Sequence, residues 1–475
     1  MANNIKRNLK IGIRIIACLY AVVLFYLNVI RCFDEALWLD EAFTANLVRE
    51  SIVDIFKITA NDVHPPLYYL IVKGFCSVFG MKGWAFHFVS VVPLIITLIF
   101  LLTVVWDSFG PEVSLIVMTL IGISDEAVTY NVQIRMYSWA ALFVLLSWYC
   151  FYLIVTHDSK KDYIGFSCFT LAAAYTHYYA LIAVAFFYVV LFFRAVMFKR
   201  EDLKRTLFVI IGAILAYLPW LHVLIKSLVV RVDNYWIKTY PSFRDCFDFI
   251  FSYKFDFHLW VIVIGLACIS IYYMLRTQKS EDRLILLFIF TGIISAVGVM
   301  VVGIGISVLV SPFFVTRYIY VVCPVVWMVL GIILSRLRFN WIWTVIFVTY
   351  FICSFIPTYK YTYYDDIEIA NRTDFVRTIV AALDEDDIII TDLEKLAEPA
   401  IPQYYFRGHK YLAVNDLKKL NIPKDGYNYW LIVGDEWSYD EISSRVAEQG
   451  YSCQIVLDYG MLGAPLKVLV YRVTI

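Results

Sequence analysis

The sequence has no excess of either charge. Forty Lys plus Arg are matched by 40 Asp plus Glu, so net charge gives no reason to expect a nucleic-acid partner. Its ten cysteines include no Cys-x-x-Cys pair and lie mostly inside apolar runs, so they read as small hydrophobes rather than a zinc site or disulfide frame. The first apolar run, 15–30, follows Lys6, Arg7, Lys10 and Arg14 but has no small-residue cleavage site after it. It is therefore expected to stay in the chain as a first helix with its start in the cytoplasm. There is also no repeat of two halves, and charges do not gather at mid-span, which counts against a lipid or glycan transporter.

What is abundant is apolar surface. The 475 residues are 61% hydrophobic and 18% aromatic, with a mean hydropathy of +0.72. A soluble chain could not bury that much, so lipid must solvate most of it. Further apolar runs near 88–106, 112–124, 138–156, 163–176, 178–196, 206–222, 258–275, 284–309, 318–335 and 340–357 bring the expected total to about eleven spans. Basic pairs and clusters at Lys160/Lys161, Lys199/Arg200/Lys204/Arg205, Arg276/Lys279/Arg283 and Arg336/Arg338 then fall in short inner loops. The inner turn 107–111 alone carries no basic residue. Segment 67–79, with Lys73 at its middle, is too short to cross as a helix and is expected to be re-entrant or interfacial.

After Tyr359 the pattern changes. Helical periodicity at 374–383 and 441–449 alternates with strand-like runs at 387–391, 411–415, 430–433, 453–458 and 467–473. The expected organisation is a polytopic α-helical membrane domain over 1–358, with a first outer loop at 31–87, and an extracytoplasmic soluble α/β domain over 359–475. That tail carries no nucleophile–base set or metal spacing, so acceptor handling or packing is its expected role. Asn371-Arg372-Thr373 is a glycosylation sequon on the expected outer side, a triplet that also arises by chance.

Charged residues near the outer face cluster in three places. Trp38-Leu39-Asp40-Glu41-Ala42-Phe43-Thr44 offers two carboxylates, one of which could take the proton of an attacking hydroxyl. The plainer role for them is to cap a helix over 42–49. His64-Pro65-Pro66 holds an imidazole at the entrance of segment 67–79, where it either binds a phosphate or is a solvated loop histidine. The stretch 125–137 ends in Arg135-Met136-Tyr137, and Arg317-Tyr318 occupies a similar helix mouth. Such arginines can be snorkelling anchors, or bidentate phosphate ligands.

In this order, with Thr176-His177-Tyr178-Tyr179, these motifs resemble the GT-C superfamily. More narrowly, the chain is similar to bacterial relatives of protein O-mannosyltransferases and lipid A aminoarabinose transferases. The resemblance covers roughly 10–340, and its strongest part is the pairing of the acidic loop with the Pro-Pro loop. It implies an inverting glycosyltransferase of the plasma membrane, using a polyprenyl-phosphate sugar donor outside the cytoplasm and a glycan, lipid or protein acceptor. It implies Asp40 as base with Glu41 in support, and His64, Arg135 and Arg317 as phosphate ligands. His64 stands where aminoarabinose transferases have a lysine, and His87 where relatives often have arginine. Tyr137, His177 and Tyr318 are additional candidates. The acid that relatives carry near the Arg-x-Tyr segment is missing at Gln133 and Tyr137. Asp125 and Glu126 could substitute, which leaves a divalent metal open; no other cofactor is implied. A lipid-linked glycan polymerase or ligase shares the topology and the outer arginines, and only the Asp40-Glu41 loop speaks against it. The odd span count puts the tail outside, so a cysteine placed after Tyr359 should label from the external side. Labelling only from the cytoplasm would overturn the topology.

Overall fold

The computed structural model describes residues 2–33, 37–229, 237, 239–251, 257–277, 279–310, 312–363, 376–392, 400–414, 420–422, 428–434, 438–463 and 466–474. The sequon at 371–373 lies outside them. The chain divides into two compact units that do not follow chain order. One comprises Met1–Ile30, Ile52–Ile71 and Val89–Pro357; the other comprises Arg31–Ser51, Val72–Phe88 and Thr358–Ile475.

The first unit is a helical bundle. Among the described residues of the chain, eight helices are long and apolar enough to cross a membrane: Lys10–Phe33, Gly83–Phe109, Tyr137–Thr156, Tyr178–Met197, Arg200–Ser227, Ser280–Leu309, Thr316–Ser335 and Asn340–Pro357. Three other expected spans fall on helices that do not meet that measure, Pro111–Ile123, Lys160–Thr176 and the described part of Phe257–Thr277. The polytopic helical fold is as expected. Helices approach closely where side chains are small: a Cβ on Gly298 would fall against the Phe186 ring, and one on Gly122 against Leu24. Gly110, at φ +102°, makes the turn that lets Pro111 open the next helix.

The bundle also accounts for the turn that lacked a basic residue. Arg14 donates to the Leu102 carbonyl at 2.8 Å and lies 3.5 Å from Asp107. The cation for that turn thus comes from the first helix. At the same end of the long helices, Arg205 pairs with Asp158 at 2.9 Å, Arg194 with Asp202 at 3.1 Å, and Arg336 with Asp282 at 3.6 Å.

The second unit holds a five-stranded sheet in the order β2-β1-β3-β5-β4. Its strands are β1 (Ile388–Thr391), β2 (Lys410–Ala413), β3 (Tyr429–Gly434), β4 (Ser452–Gly463) and β5 (Leu466–Thr474). The first three run parallel, and β5 and β4 add antiparallel. The run Ile388-Ile389-Ile390 is buried throughout, as suits a central parallel strand. Ile390, Leu431, Val433 and Tyr471 pack with Ile442 and Val446 of the helix Tyr439–Ala447 to form the core. The expected helix 374–383 is reduced, among its described residues, to short helical turns ending in the 3-10 turn Val380–Ala382. A helix at Ala400–Tyr405 was not expected.

Two parts of the first outer loop, Arg31–Ser51 and Val72–Phe88, belong to this unit and make specific contacts in it. Asn46 donates to the Ala400 carbonyl at 2.8 Å, and the Leu37 N–H donates to the Tyr405 hydroxyl. The helix here is Leu39–Leu47, three residues earlier than the pattern suggested. Lys73, the charge within the short helix Leu67–Phe79, donates to the carbonyls of Val48 and Glu50 at 3.0 and 2.6 Å. It therefore satisfies the carbonyl end of the acidic-loop helix.

Candidate functional site

In the bundle unit, a buried asparagine pair sets the backbone from which the site is built. Asn28 donates to the carbonyls of Leu24 and Gly122, at 2.8 and 2.9 Å. Asn131 donates to Asn28 Oδ1 at 3.1 Å and to the Ile121 carbonyl at 2.8 Å, and it accepts from the Tyr320 hydroxyl at 3.3 Å. Four chain segments are thus tied together where water cannot compete, and each bond left unmade would cost about 1–3 kcal/mol. Ser124 caps the short helix Asp125–Tyr130 by accepting from the Ala127 N–H. Asp125 and Glu126 are the acids of its first turn, and Glu126 is buried. The following loop delivers Arg135 and then Tyr137, both buried. The 3-10 turn Thr316–Val322 carries Arg317, Tyr318 and Tyr320.

These segments converge on two histidines. His64 is only 4% exposed, so it is not a solvated loop residue. The helix that opens at Leu67 takes its first turn from the Pro66 carbonyl, which accepts from Leu70 N–H. His177 is buried between two helices, ending Lys160–Thr176 and capping Tyr178–Met197 by accepting the Tyr179 N–H at Nδ1, 3.1 Å away. The two imidazoles lie 5.3 Å apart between ring centroids. Tyr318 is 6.3 Å from His64 and 5.2 Å from His177, and Tyr137 is 5.6 Å from His177. The Arg317 guanidinium lies 6.0 Å from the Tyr318 ring.

Burial first, and then Arg135 and Arg317, lower the basicity of both imidazoles. His64 falls well below the ordinary 6.5, with His177 contributing, and His177 falls to about 3. Both rings are therefore neutral at physiological pH. The unfolded chain takes up these protons below about pH 6.5 while the folded chain does not, so acid favours unfolding here. Beside them is a cavity of about 210 Å³. His64, His177 and Tyr318 border it, while Leu181, Ile182, Leu224, Val302, Ile306 and Phe313 make most of its wall apolar. A polar rim with two arginines at hand and an apolar interior suits an amphiphile with an anionic head.

In the second unit, Asp40 and Glu41 open the helix Leu39–Leu47. The capping contact belongs to Glu41, whose carboxylate accepts the Trp38 N–H at 3.3 Å. Glu41 is buried and also lies 3.9 Å from His87 Nδ1. Asp40 is half-buried. Among the described residues, no group of three or more His, Cys, Asp or Glu could hold a metal ion. Sequence reading missed Asn28, Asn131 and Tyr320. Buried amide groups inside apolar runs were the available signal.

Residues 63–223 match a family model described as dolichyl-phosphate-mannose-protein mannosyltransferase. That stretch contains His64, Arg135 and His177. Two crystal structures of ArnT from Cupriavidus metallidurans share the fold, each at a TM-score of 0.57 and 12% identity. The apo structure matches over 98% of this chain and 98% of that one. The structure bound to undecaprenyl phosphate matches over 96% and 97%. No protein of curated function matches the chain significantly. The chain thus shares the fold of these two structures, as the sequence resemblance led one to expect, and matches the family pattern over residues 63–223.

Replacing Arg135 or Arg317 by Ala should weaken binding of a lipid phosphate. Losing one charge-assisted contact costs about 1.5–3 kcal/mol, a rise in Kd of roughly ten- to a hundredfold. Titration of each purified variant checks this, and unchanged affinity in both would remove the arginines from the site.

Proposed function

We propose that this chain is an inverting glycosyltransferase that moves a sugar from a polyprenyl-phosphate donor to an acceptor hydroxyl on the extracytoplasmic face. The observation that carries the reading is the pair of buried histidines at the rim of an apolar cavity, with Arg135 and Arg317 near enough to act on both rings. The fold likeness to a protein crystallised with undecaprenyl phosphate supports the same donor class.

The chemistry needs few parts. As the acceptor oxygen attacks the anomeric carbon, the bond from that carbon to the phosphate oxygen breaks and configuration inverts. The leaving group departs as a lipid phosphate monoester. Its new charge is taken up by Arg135 and Arg317, so no general acid is required. The acceptor proton must go to a base, and Asp40 is that base in this reading. Glu41 holds the turn through the Trp38 N–H. One base and one cationic cradle suffice, unlike the two carboxylates of a glycosidase.

Sidedness follows the charges. Arg135 precedes the helix Tyr137–Thr156, and Arg317 lies in the turn before Cys323–Ser335. The far ends of these helices lead to the paired Asp158–Arg205 and Asp282–Arg336 contacts. Basic loops favour the cytoplasm, so the site belongs to the other face, together with the tail.

Asp40→Asn separates catalysis from capping. Asparagine keeps the size and leaves the cap with Glu41, but it cannot take the proton. We expect kcat to fall by roughly 10²–10⁴-fold with little change in donor binding. A variant that purifies normally and transfers sugar at close to the unaltered rate would leave Asp40 without a catalytic role and would sink the reading of the base.

A further inference from the structure

His177 combines two features that are separable in chemistry. Its Nδ1 accepts the Tyr179 N–H, so in the neutral ring the proton must reside on Nε2. That Nε2–H donor is buried and has no hydrogen-bond partner among the described residues. A buried donor left unmade costs about 1–3 kcal/mol, so its persistence calls for a ligand that satisfies it. The residue is 1% exposed and borders the 210 Å³ cavity. His64, on the rim of the same cavity, likewise has a buried nitrogen, Nδ1, without a partner among the described residues.

The surroundings say what kind of ligand. The groups around the His177 ring are His64, Tyr137, Tyr179 and Tyr318, with Arg135 and Arg317 close enough to suppress its protonation. Among the described residues, the charged groups that act on its protonation are Arg135 and Arg317. A donor beside two guanidinium groups faces an acceptor, and the acceptor those guanidiniums recruit is an anion. The helix Tyr178–Met197 also begins here, and its positive end favours the same charge.

We propose that His177 is a positioning residue that donates its Nε2–H, uncharged, to a phosphate oxygen of the lipid donor. The proposal rests on the donor class inferred above. A neutral donor has a use that a third cation would not. The donor is a phosphodiester with one negative charge, whereas the lipid phosphate released carries up to two. Two arginines already match the product, and a third positive charge would hold it more tightly and slow its release. The imidazole adds a directed hydrogen bond to the bound donor without that penalty. Because the ring stays neutral, lipid phosphate binding should show no step from His177 between about pH 5.5 and 8.

Two substitutions divide the structural role from the proposed one. His177→Asn places an amide oxygen where Nδ1 was, so it keeps the cap, but it has nothing at the reach of Nε2. His177→Gln places an amide N–H near the Nε2 position and gives up the ideal cap. Undecaprenyl phosphate titrated into the purified full chain in lipid nanodiscs should bind His177→Asn about tenfold more weakly, from one lost contact to a charged group. His177→Gln should bind within about threefold of the unaltered chain while melting at a lower temperature than His177→Asn. The opposite order, with Asn binding normally and Gln weakly, would mean that His177 only caps its helix, and the proposal falls. A binding step near pH 6.5 that vanishes in His177→Asn would also overturn it, because the ring would then act as a cation. Failure of the unaltered chain to bind undecaprenyl phosphate would overturn the donor reading and this proposal together. Normal binding with the wrong variant order overturns this proposal alone.

Discussion

The constraint on which the bundle depends is the burial of cationic and polar side chains where little water can reach them. Arg135, His64 and His177 are each at most 5% exposed. Guanidinium groups do not lose their charge, so burying them is tolerable only with compensating polar partners or an anion. Imidazoles can escape the cost by staying neutral, and both do so here. The backbone around them is fixed by the Asn28–Asn131–Tyr320 bonds, which join four chain segments. Precision at the rim therefore comes from amide and hydroxyl groups that do not themselves border the cavity.

The division of the chain follows from the same economy of contacts. The acidic-loop helix carries its carbonyl end on Lys73 and its side on Ala400–Tyr405. A tail read from sequence as a separate domain thus shares a unit with part of the first outer loop. Its sheet needs only short parallel strands with a long antiparallel pair at one side, so a modest core suffices. The tail consequently supports the turn on which Asp40 is carried.

Much of the architecture could be read because lipid imposes simple rules. Apolar length located the helices, and Lys73 within a thirteen-residue run marked the short one. The alternation after Tyr359 placed four strands close to their observed bounds, while β4 runs on to Gly463, past the expected end at 458. Other features depend on pairing across long sequence separations, which periodicity does not encode. Arg14 supplies the charge for the turn at Asp107, and Tyr405 reaches Leu37 across 368 positions. The helix of the acidic loop begins at Leu39 because Glu41, rather than Asp40, reaches back to the cap. The site motifs were visible as residue types in order, yet whether His64 is solvated or buried could be decided only by the packing around it.

The central claim is that the bundle recognises a lipid by its phosphate. The most direct measurement compares undecaprenyl phosphate with undecaprenol, the same chain without the anion, by titration into the purified protein. Two charge-assisted contacts of about 1.5–3 kcal/mol each would favour the phosphate by at least roughly a hundredfold. Equal affinities for the phosphate and the alcohol would show that only the apolar cavity binds, and would contradict the account.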